Sequence, residues 1–404
     1  MLKIAYCGRP HTGGTYTVFR LLREGLAHHD IELRWVCLGS TRDRIPSGME
    51  HETNFGEFIP SKSEEKKSAQ KFVEHIENNY DGIIFNVLAR KIETSTAKYI
   101  SNKILKLQIV HNITPATYFA ANTIRDYVHG TICPTPRIAK DLTAKFNFKP
   151  ANTFTISHAV NLERFQKNSP PPNTDSGLKA VYLGRMDENA KGILWLPDIV
   201  RECLNNSIDL SLTVVGDGKD LEKLKNKSNQ MGLKHHIKFY GKADYQDVPQ
   251  IVSSHHVFIM PSRYEGFGYS LIENMASGCV PVCSQISGVT DFIVSNGDNG
   301  YLFPVGDVKQ AAASITNLVE KEQWQKLSAQ ARTSVESRFS LAKQAESYAD
   351  TIETLQLNPP KIAASLDVSR WELPSGLKPH WGTALPEPVK NLLRLWRERL
   401  TFGI

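Results

Sequence analysis

Short apolar runs alternating with helical stretches, interrupted once by three consecutive prolines, constrain the fold of this chain more than any other feature. In the first half the runs are "LKIAYC", "ELRWVCL", "GIIFNV", "LQIVHN", "GTICPT" and "TFTISHAV". They are too continuous for strands with one wet face, and the helical spacers between them match the crossovers that parallel strands require. "QKNSPPPNTDSG", residues 166–177, then stops the pattern, because a proline triplet among polar residues continues neither sheet nor helix. Beyond it the alternation restarts with "LKAVYLG", "LSLTVVG", "IKFYG", "HVFIM" and "VPVCS". The expected fold is α/β, with two doubly wound, Rossmann-like domains. A chain of 404 residues exceeds the usual size of one core, which agrees with that division. In such sheets ligands lie beyond the carboxyl ends of the strands, so a cleft between the domains is the expected site.

Composition narrows the function classes. A hydrophobic fraction of 41% and a charged fraction of 22% are those of a water-soluble globular protein. No apolar run reaches the roughly 20 residues of a membrane span, and the apolar stretch at the N-terminus is too short for a signal peptide. The six cysteines include no CxxC pair, so buried free thiols in the reducing cytoplasm are expected. A net charge of +6 is too mild and too dispersed for a nucleic-acid protein of this size.

"SRYEGFGYSLIENMASG", residues 262–278, carries the most chemistry. Glu265 sits just past the strand "HVFIM", Gly266-Phe267-Gly268 follow, and Glu273 lies about one turn into the next helix. Glycines there let main chain approach a ligand closely, and a helix N-terminus favours an anion. A carboxylate on that helix can accept two hydrogen bonds from a vicinal diol such as a ribose. Carboxylates flanking an anion-binding turn suit a nucleotide-sugar. The same stretch also reads as an ordinary helix start with two surface glutamates. Arg185 and Lys191, after the first strand of the second domain, can neutralise a diphosphate without a metal. No Asp-x-Asp pair stands at a strand end, so no metal is expected. Gly13 and Gly14 would bring the first turn of the N-terminal domain close to a ligand.

With "MASGCVPV" after it, E-G-F-G-x-x-x-x-E resembles the family 4 retaining glycosyltransferases of the GT-B fold (glycosyl transferases group 1). "YLGRMDENAKGI", "VVGDG", "FYGKADYQDVPQIVSSHHVFIMPS" and "GVTDFIVSNGDNGYLFPVGD" are similar to the family's elements in order and spacing. In the first half "GRPHTGGTYTVFRLL", "ICPTPRIAKDL" and "ISHAVNLERF" resemble it as well, so the likeness covers roughly residues 1–355. It implies a GT-B enzyme moving a hexose from a nucleoside diphosphate sugar to a glycan, glycolipid or other hydroxyl acceptor, with retention and without a metal. It further implies that Glu273 binds the ribose and Glu265 the hexose, while Arg185, Lys191 and the backbone of Gly266–Gly268 hold the diphosphate. His111 would stand near the donor sugar and Lys242 near the base. A UDP-sugar, a cytoplasmic location and work in cell-surface polysaccharide or glycolipid assembly come from the same resemblance. One departure is local: His158-Ala159-Val160-Asn161 stands where the family commonly has Asn-Gly-Val-Asp. A sugar-nucleotide 2-epimerase of the same architecture and a non-catalytic nucleotide- or glycan-binding subunit are the competing readings.

The expected domains are an N-terminal acceptor domain at 1–165, a hinge at 166–177 and a nucleotide-sugar domain at 178–340. Residues 341–404 should pack back on the first domain as helices and an aromatic-anchored strap. The terminal helix sets Val389, Leu392, Leu393, Trp396 and Leu400 on one face, with Lys390, Arg394 and Arg397 elsewhere. Docking on the N-terminal domain is the favoured role for that face, and peripheral contact with an anionic membrane is the other.

Overall fold

The structure is a computed structural model that describes the chain apart from residues 40–44, 62, 88–89, 167–176, 379–385 and 402–404. Side chains at 387, 394 and 397–401 also lie outside the description. Two compact units result: Met1–Ala159 with Leu341–Ala384, and Val160–Ser340 with Leu385–Ile404.

The first unit is built on seven strands: β1 (Leu2–Cys7), β2 (Ile31–Gly39), β3 (Gly56–Pro60), β4 (Gly82–Asn86), β5 (Leu105–Ile109), β6 (Gly130–Cys133) and β7 (Thr153–Thr155). Their order is β3-β2-β1-β4-β5-β6-β7, and every pairing is parallel. All residues of β4 and β5 are buried, as expected of central strands covered by helices on both faces. The helix Gly14–Leu26 turns Phe19, Leu22 and Leu26 inward at helical spacing. On it lies the helix Leu341–Leu357, so closely that a Cβ on Gly25 would stand 2.7 Å from that of Ala345.

The second unit holds β8 (Leu178–Leu183), β9 (Leu210–Val215), β10 (Ile237–Gly241), β11 (Val257–Met260), β12 (Val280–Ser284) and β13 (Tyr301–Phe303). Again all are parallel, in the order β10-β9-β8-β11-β12-β13. In both sheets the order reverses beside the first strand, at β1/β4 and at β8/β11. There neighbouring loops part and leave a crevice at the carboxyl ends.

Three features depart from the sequence reading. β3 and β13 are additional edge strands; an edge strand pairs on one side only and carries a weak apolar signal. The units change at Ala159/Val160, ahead of the proline triplet, and the expected hinge lies outside the described residues except Gln166 and Gly177. The tail divides: residues through Ala384 group with the first unit, whereas the helix Glu387–Thr401 groups with the second, where Asn391 Nδ2 donates to Asn189 Oδ1 at 3.0 Å.

The strap runs along the first unit without a strand or long helix of its own. Its Ala363 N–H donates to the Asp126 carbonyl at 2.7 Å, and Leu366 N–H to that of Lys98 at 2.8 Å. Trp371 is the anchor, 7% exposed, its Nε1–H donating to Ser95 Oγ at 2.8 Å. Leu377 is buried as well. Trp371→Ala should cost the first unit roughly 3–5 kcal/mol, the range for deleting a large buried side chain. Trp371→Phe should cost less, since it keeps most of the apolar area and drops one hydrogen bond worth about 1 kcal/mol. Urea denaturation of the two variants tests this ranking; equal losses would mean that the hydrogen bond, not the ring, is the anchor.

Candidate functional site

In the second unit the loops after β8, β9 and β11 are knitted together by backbone. Met186 N–H donates to the Asp217 carbonyl at 2.9 Å, and Arg263 N–H to that of Ala190 at 2.8 Å. Two glycines make this approach possible. Gly216 has φ 134°, and a Cβ there would meet the Gly184 carbonyl oxygen at 1.9 Å. Gly192, at φ 58°, would drive a Cβ to 2.3 Å from the Pro261 carbonyl oxygen. Gly192 also ends the short helix Glu188–Lys191, which Asp187 caps through the Asn189 N–H at 3.2 Å.

That helix carries Lys191 to Glu265. Lys191 Nζ donates to Glu265 Oε1 at 2.5 Å, and Ser262 Oγ donates to the same oxygen at 2.7 Å. Glu265 is 7% exposed, so the pair is largely out of water and its geometry is held from two loops at once. Arg185 differs. Its side chain is 68% exposed, with Asp187 Oδ2 3.7 Å away, and Lys219 Nζ lies 3.4 Å from the other oxygen of that carboxylate. Lys219 is thus a second exposed cation beside Arg185, missed in the sequence because it belongs to a different loop. Tyr182 OH, under the loop, donates to the Arg185 carbonyl at 3.0 Å and fixes where the guanidinium begins.

Past β11 the chain turns through Gly266-Phe267-Gly268. Phe267 faces the core, 3% exposed and edge-on to Phe339 at 5.7 Å, so only its main chain can serve a ligand. Gly268 has φ 91° and opens the helix Tyr269–Ala276, whose first turn has no acidic residue and no capping side chain. Leu271 N–H donates to the Gly268 carbonyl at 2.9 Å, and the positive end of the helix dipole there suits an anion. Glu273, half-buried, follows on the same helix; burial pushes its carboxyl up to about 7, with Arg164 drawing it down. Arg164 is itself steered by Tyr245, whose carbonyl accepts from Nη2 at 2.6 Å and whose ring lies 3.7 Å from the guanidinium carbon. Lys242, just past β10, is exposed.

The first unit contributes a separate cluster at its own reversal point. Asn86, the last residue of β4, donates through Nδ2 to the Cys7 carbonyl of β1 at 2.8 Å. Its Oδ1 is therefore the acceptor for His111 Nε2–H at 2.7 Å, beyond the end of β5. With that proton placed, His111 Nδ1 is the acceptor and faces His158 Nε2 at 3.4 Å. Burial draws the His111 imidazole down to about 4, and burial with the neighbouring His111 takes His158 well below its usual range. Both rings are neutral at pH 7. Asn86 escaped the sequence reading because it closes an apolar run; an amide at the end of a buried strand is the signal that could have found it. Gly13 precedes the helix Gly14–Leu26, its N–H donating to His11 Nδ1 at 2.9 Å, and His11 Nε2 reaches Thr15 Oγ1 at 2.9 Å.

Residues 164–336, most of the second unit, match the model of the glycosyl transferases group 1 family. The chain is 33% identical over 150 residues to a phosphatidyl-myo-inositol mannosyltransferase of Mycobacterium leprae, covering 36% of this chain and 38% of that protein. Over 156 residues it is 28% identical to a lipopolysaccharide 1,6-galactosyltransferase of Salmonella typhimurium, covering 38% and 43%. The matches thus span less than half the length of either relative. Among solved structures, HepE of Anabaena in complex with UDP-glucose superimposes with a TM-score of 0.75 at 18% identity, over 88% of this chain and 100% of that one. At that identity the likeness is one of fold.

Glu273 makes the site pH-sensitive in a definite sense. Its carboxyl keeps its proton in the folded chain up to about 7, whereas the unfolded chain releases it near 4.5. The folded state binds more protons across that window, so this group weakens the fold as pH rises through it. Glu273→Gln should flatten that part of the stability profile, measured as denaturation midpoints from pH 4 to 8. Arg164→Gln should raise the Glu273 midpoint further, read from carboxyl chemical shifts; a fall would remove Arg164 from its electrostatic surroundings.

Proposed function

We propose that this chain, which has the GT-B fold and carries a glycosyl transferases group 1 domain over residues 164–336, is a retaining glycosyltransferase. It moves a hexose from a nucleoside diphosphate sugar to a hydroxyl acceptor. The observation that carries the reading is the set of groups at the β8/β11 reversal: exposed Arg185, the buried Lys191–Glu265 pair and the uncapped helix start at Gly268. Both relatives are named as transferases, one of galactose and one of mannose, which favours this reading over the epimerase and the binding subunit. A neighbour of the same fold in complex with UDP-glucose supports a uridine donor. The relatives' names, with lipopolysaccharide and phosphatidyl-inositol in them, support an acceptor in cell-surface polysaccharide or glycolipid assembly.

In this mechanism Glu273, as its carboxylate, accepts the ribose hydroxyls, and Glu265 uses its remaining acceptor capacity for the hexose hydroxyls. An ammonium has three donors, so Lys191 can hold Glu265 and a phosphate oxygen together. Arg185 and the backbone N–H groups from Gly266 to Gly268 take the rest of the diphosphate charge. Lys242 is assigned to the nucleotide end. The anomeric carbon–oxygen bond to phosphate breaks with its electron pair going to the diphosphate. The acceptor oxygen bonds the same face of the carbon and gives its proton to the departing phosphate oxygen. His111 is neutral and its Nε2–H is committed to Asn86, so it is assigned to positioning rather than proton donation; Gly13 and Gly14 are assigned to main-chain contact.

Arg185→Ala and Lys191→Ala should each slow transfer by about 100-fold or more, the scale of one lost charge-stabilising donor. The two cations do the work a metal would do, so EDTA should leave the wild-type rate nearly unchanged. Near-wild-type rates in both variants would remove the diphosphate assignment. In calorimetry, Glu273→Ala should weaken UDP itself, whereas Glu265→Ala should weaken UDP-sugars more than UDP. Wild-type UDP affinity should rise with pH through about 7 as Glu273 ionises; two variants alike toward both ligands would reject the separate roles.

A further inference from the structure

The helix Glu387–Thr401 is held to the second unit by one side and leaves its apolar side open. At about 100° per residue, Val389, Leu392, Leu393, Trp396 and Leu400 share an arc of about 100°. Asn391, bonded to Asn189, and half-buried Leu395 lie well off that arc, toward the opposite side. The attachment therefore fixes which way the arc faces. Val389, Leu392, Leu393 and Trp396 are 42%, 54%, 56% and 61% exposed. No other group of large exposed apolar side chains among the described residues is as dense, and these four are contiguous on the helix.

Charge says what covers them. By sequence the helix carries four cations, Lys390, Arg394, Arg397 and Arg399, against the two carboxylates Glu387 and Glu398. An excess of cations on a helix with an apolar arc, and a tryptophan in that arc, matches a surface that is apolar inside and anionic at its rim. We propose that this helix seats the second unit on an anionic lipid bilayer, its axis in the plane of the interface. Leu392, Leu393 and Trp396 enter the acyl boundary while the helix's Lys and Arg stems reach the headgroups. The contact lies on the bilayer and does not cross it: no helix among the described residues is long and apolar enough to span a membrane.

Flotation of the full chain with vesicles tests this, using phosphatidylglycerol–phosphatidylcholine mixtures against phosphatidylcholine alone. The wild type should partition to the mixed vesicles and lose most of that binding at high salt. Lys390→Glu with Arg397→Glu should weaken it by about tenfold or more, since each cation near such a surface contributes on the order of 1 kcal/mol. Leu393→Glu with Trp396→Glu should abolish it while leaving melting temperature and solution mass unchanged. Absence of wild-type binding, equal binding to both vesicles, or binding retained in the apolar variant would each overturn the proposal. A lower melting temperature in the apolar variant would show that the face packs on the chain itself. A halved solution mass would show that a second copy covers it. Either result would overturn it too.

Discussion

Parallel pairing is the constraint on which everything else in this chain depends. Two parallel neighbours cannot be joined by a tight turn, so each connection crosses a face of the sheet and every strand ends at the same edge. Both sheets obey this throughout, and both reverse their order beside the first strand. Loops that leave that point diverge, and the polar groups they carry gather at one edge without any being adjacent in the chain. Asn86 shows the principle on a small scale. One amide at the end of β4 ties the end of β1 to the residue beyond β5, and in doing so sets the tautomer of His111.

Electrostatics in the second unit is graded by depth. Arg185 is exposed and shares Asp187 with Lys219, so its attraction for an anion is that of a solvated cation until a ligand excludes water. Lys191 is deeper and already spent in part on Glu265, whose carboxylate it prevents from standing alone in the interior. Glu273 has no such partner at hydrogen-bond distance among the described contacts, and burial holds its proton near neutrality. Two carboxyls eight positions apart thus meet different surroundings, an ion pair at Glu265 and burial at Glu273, which is what separate roles toward one ligand require.

The tail is two devices rather than one. Trp371 and Leu377 fold the strap into the first unit, where it supplies buried area and satisfies backbone groups at Lys98 and Asp126. The final helix does the reverse, holding on through an amide and exposing its apolar arc. Their opposite treatment of large side chains argues for different solvents on the two surfaces.

From sequence alone, the central strands, the division into two α/β units and the residues of the Glu265–Glu273 turn were legible, because buried parallel strands are continuously apolar and a glycine pair beside a carboxylate is a local signal. The edge strands β3 and β13 were not, since one-sided pairing needs little apolar surface. Neither was the unit boundary at Ala159, because the proline triplet marks where the chain cannot be regular, not where its contacts change sides. The resemblance named Lys191 and Glu265 for different parts of a ligand. Only the fold revealed that they bond each other, a pairing across 74 positions that no spacing rule contains. Likewise the burial of the Phe267 ring, the neutral His111–His158 pair and the outward direction of Trp396 depend on which neighbours tertiary packing supplies. Local chemistry fixes what each residue can do; proximity between distant segments decides which of those capacities is used.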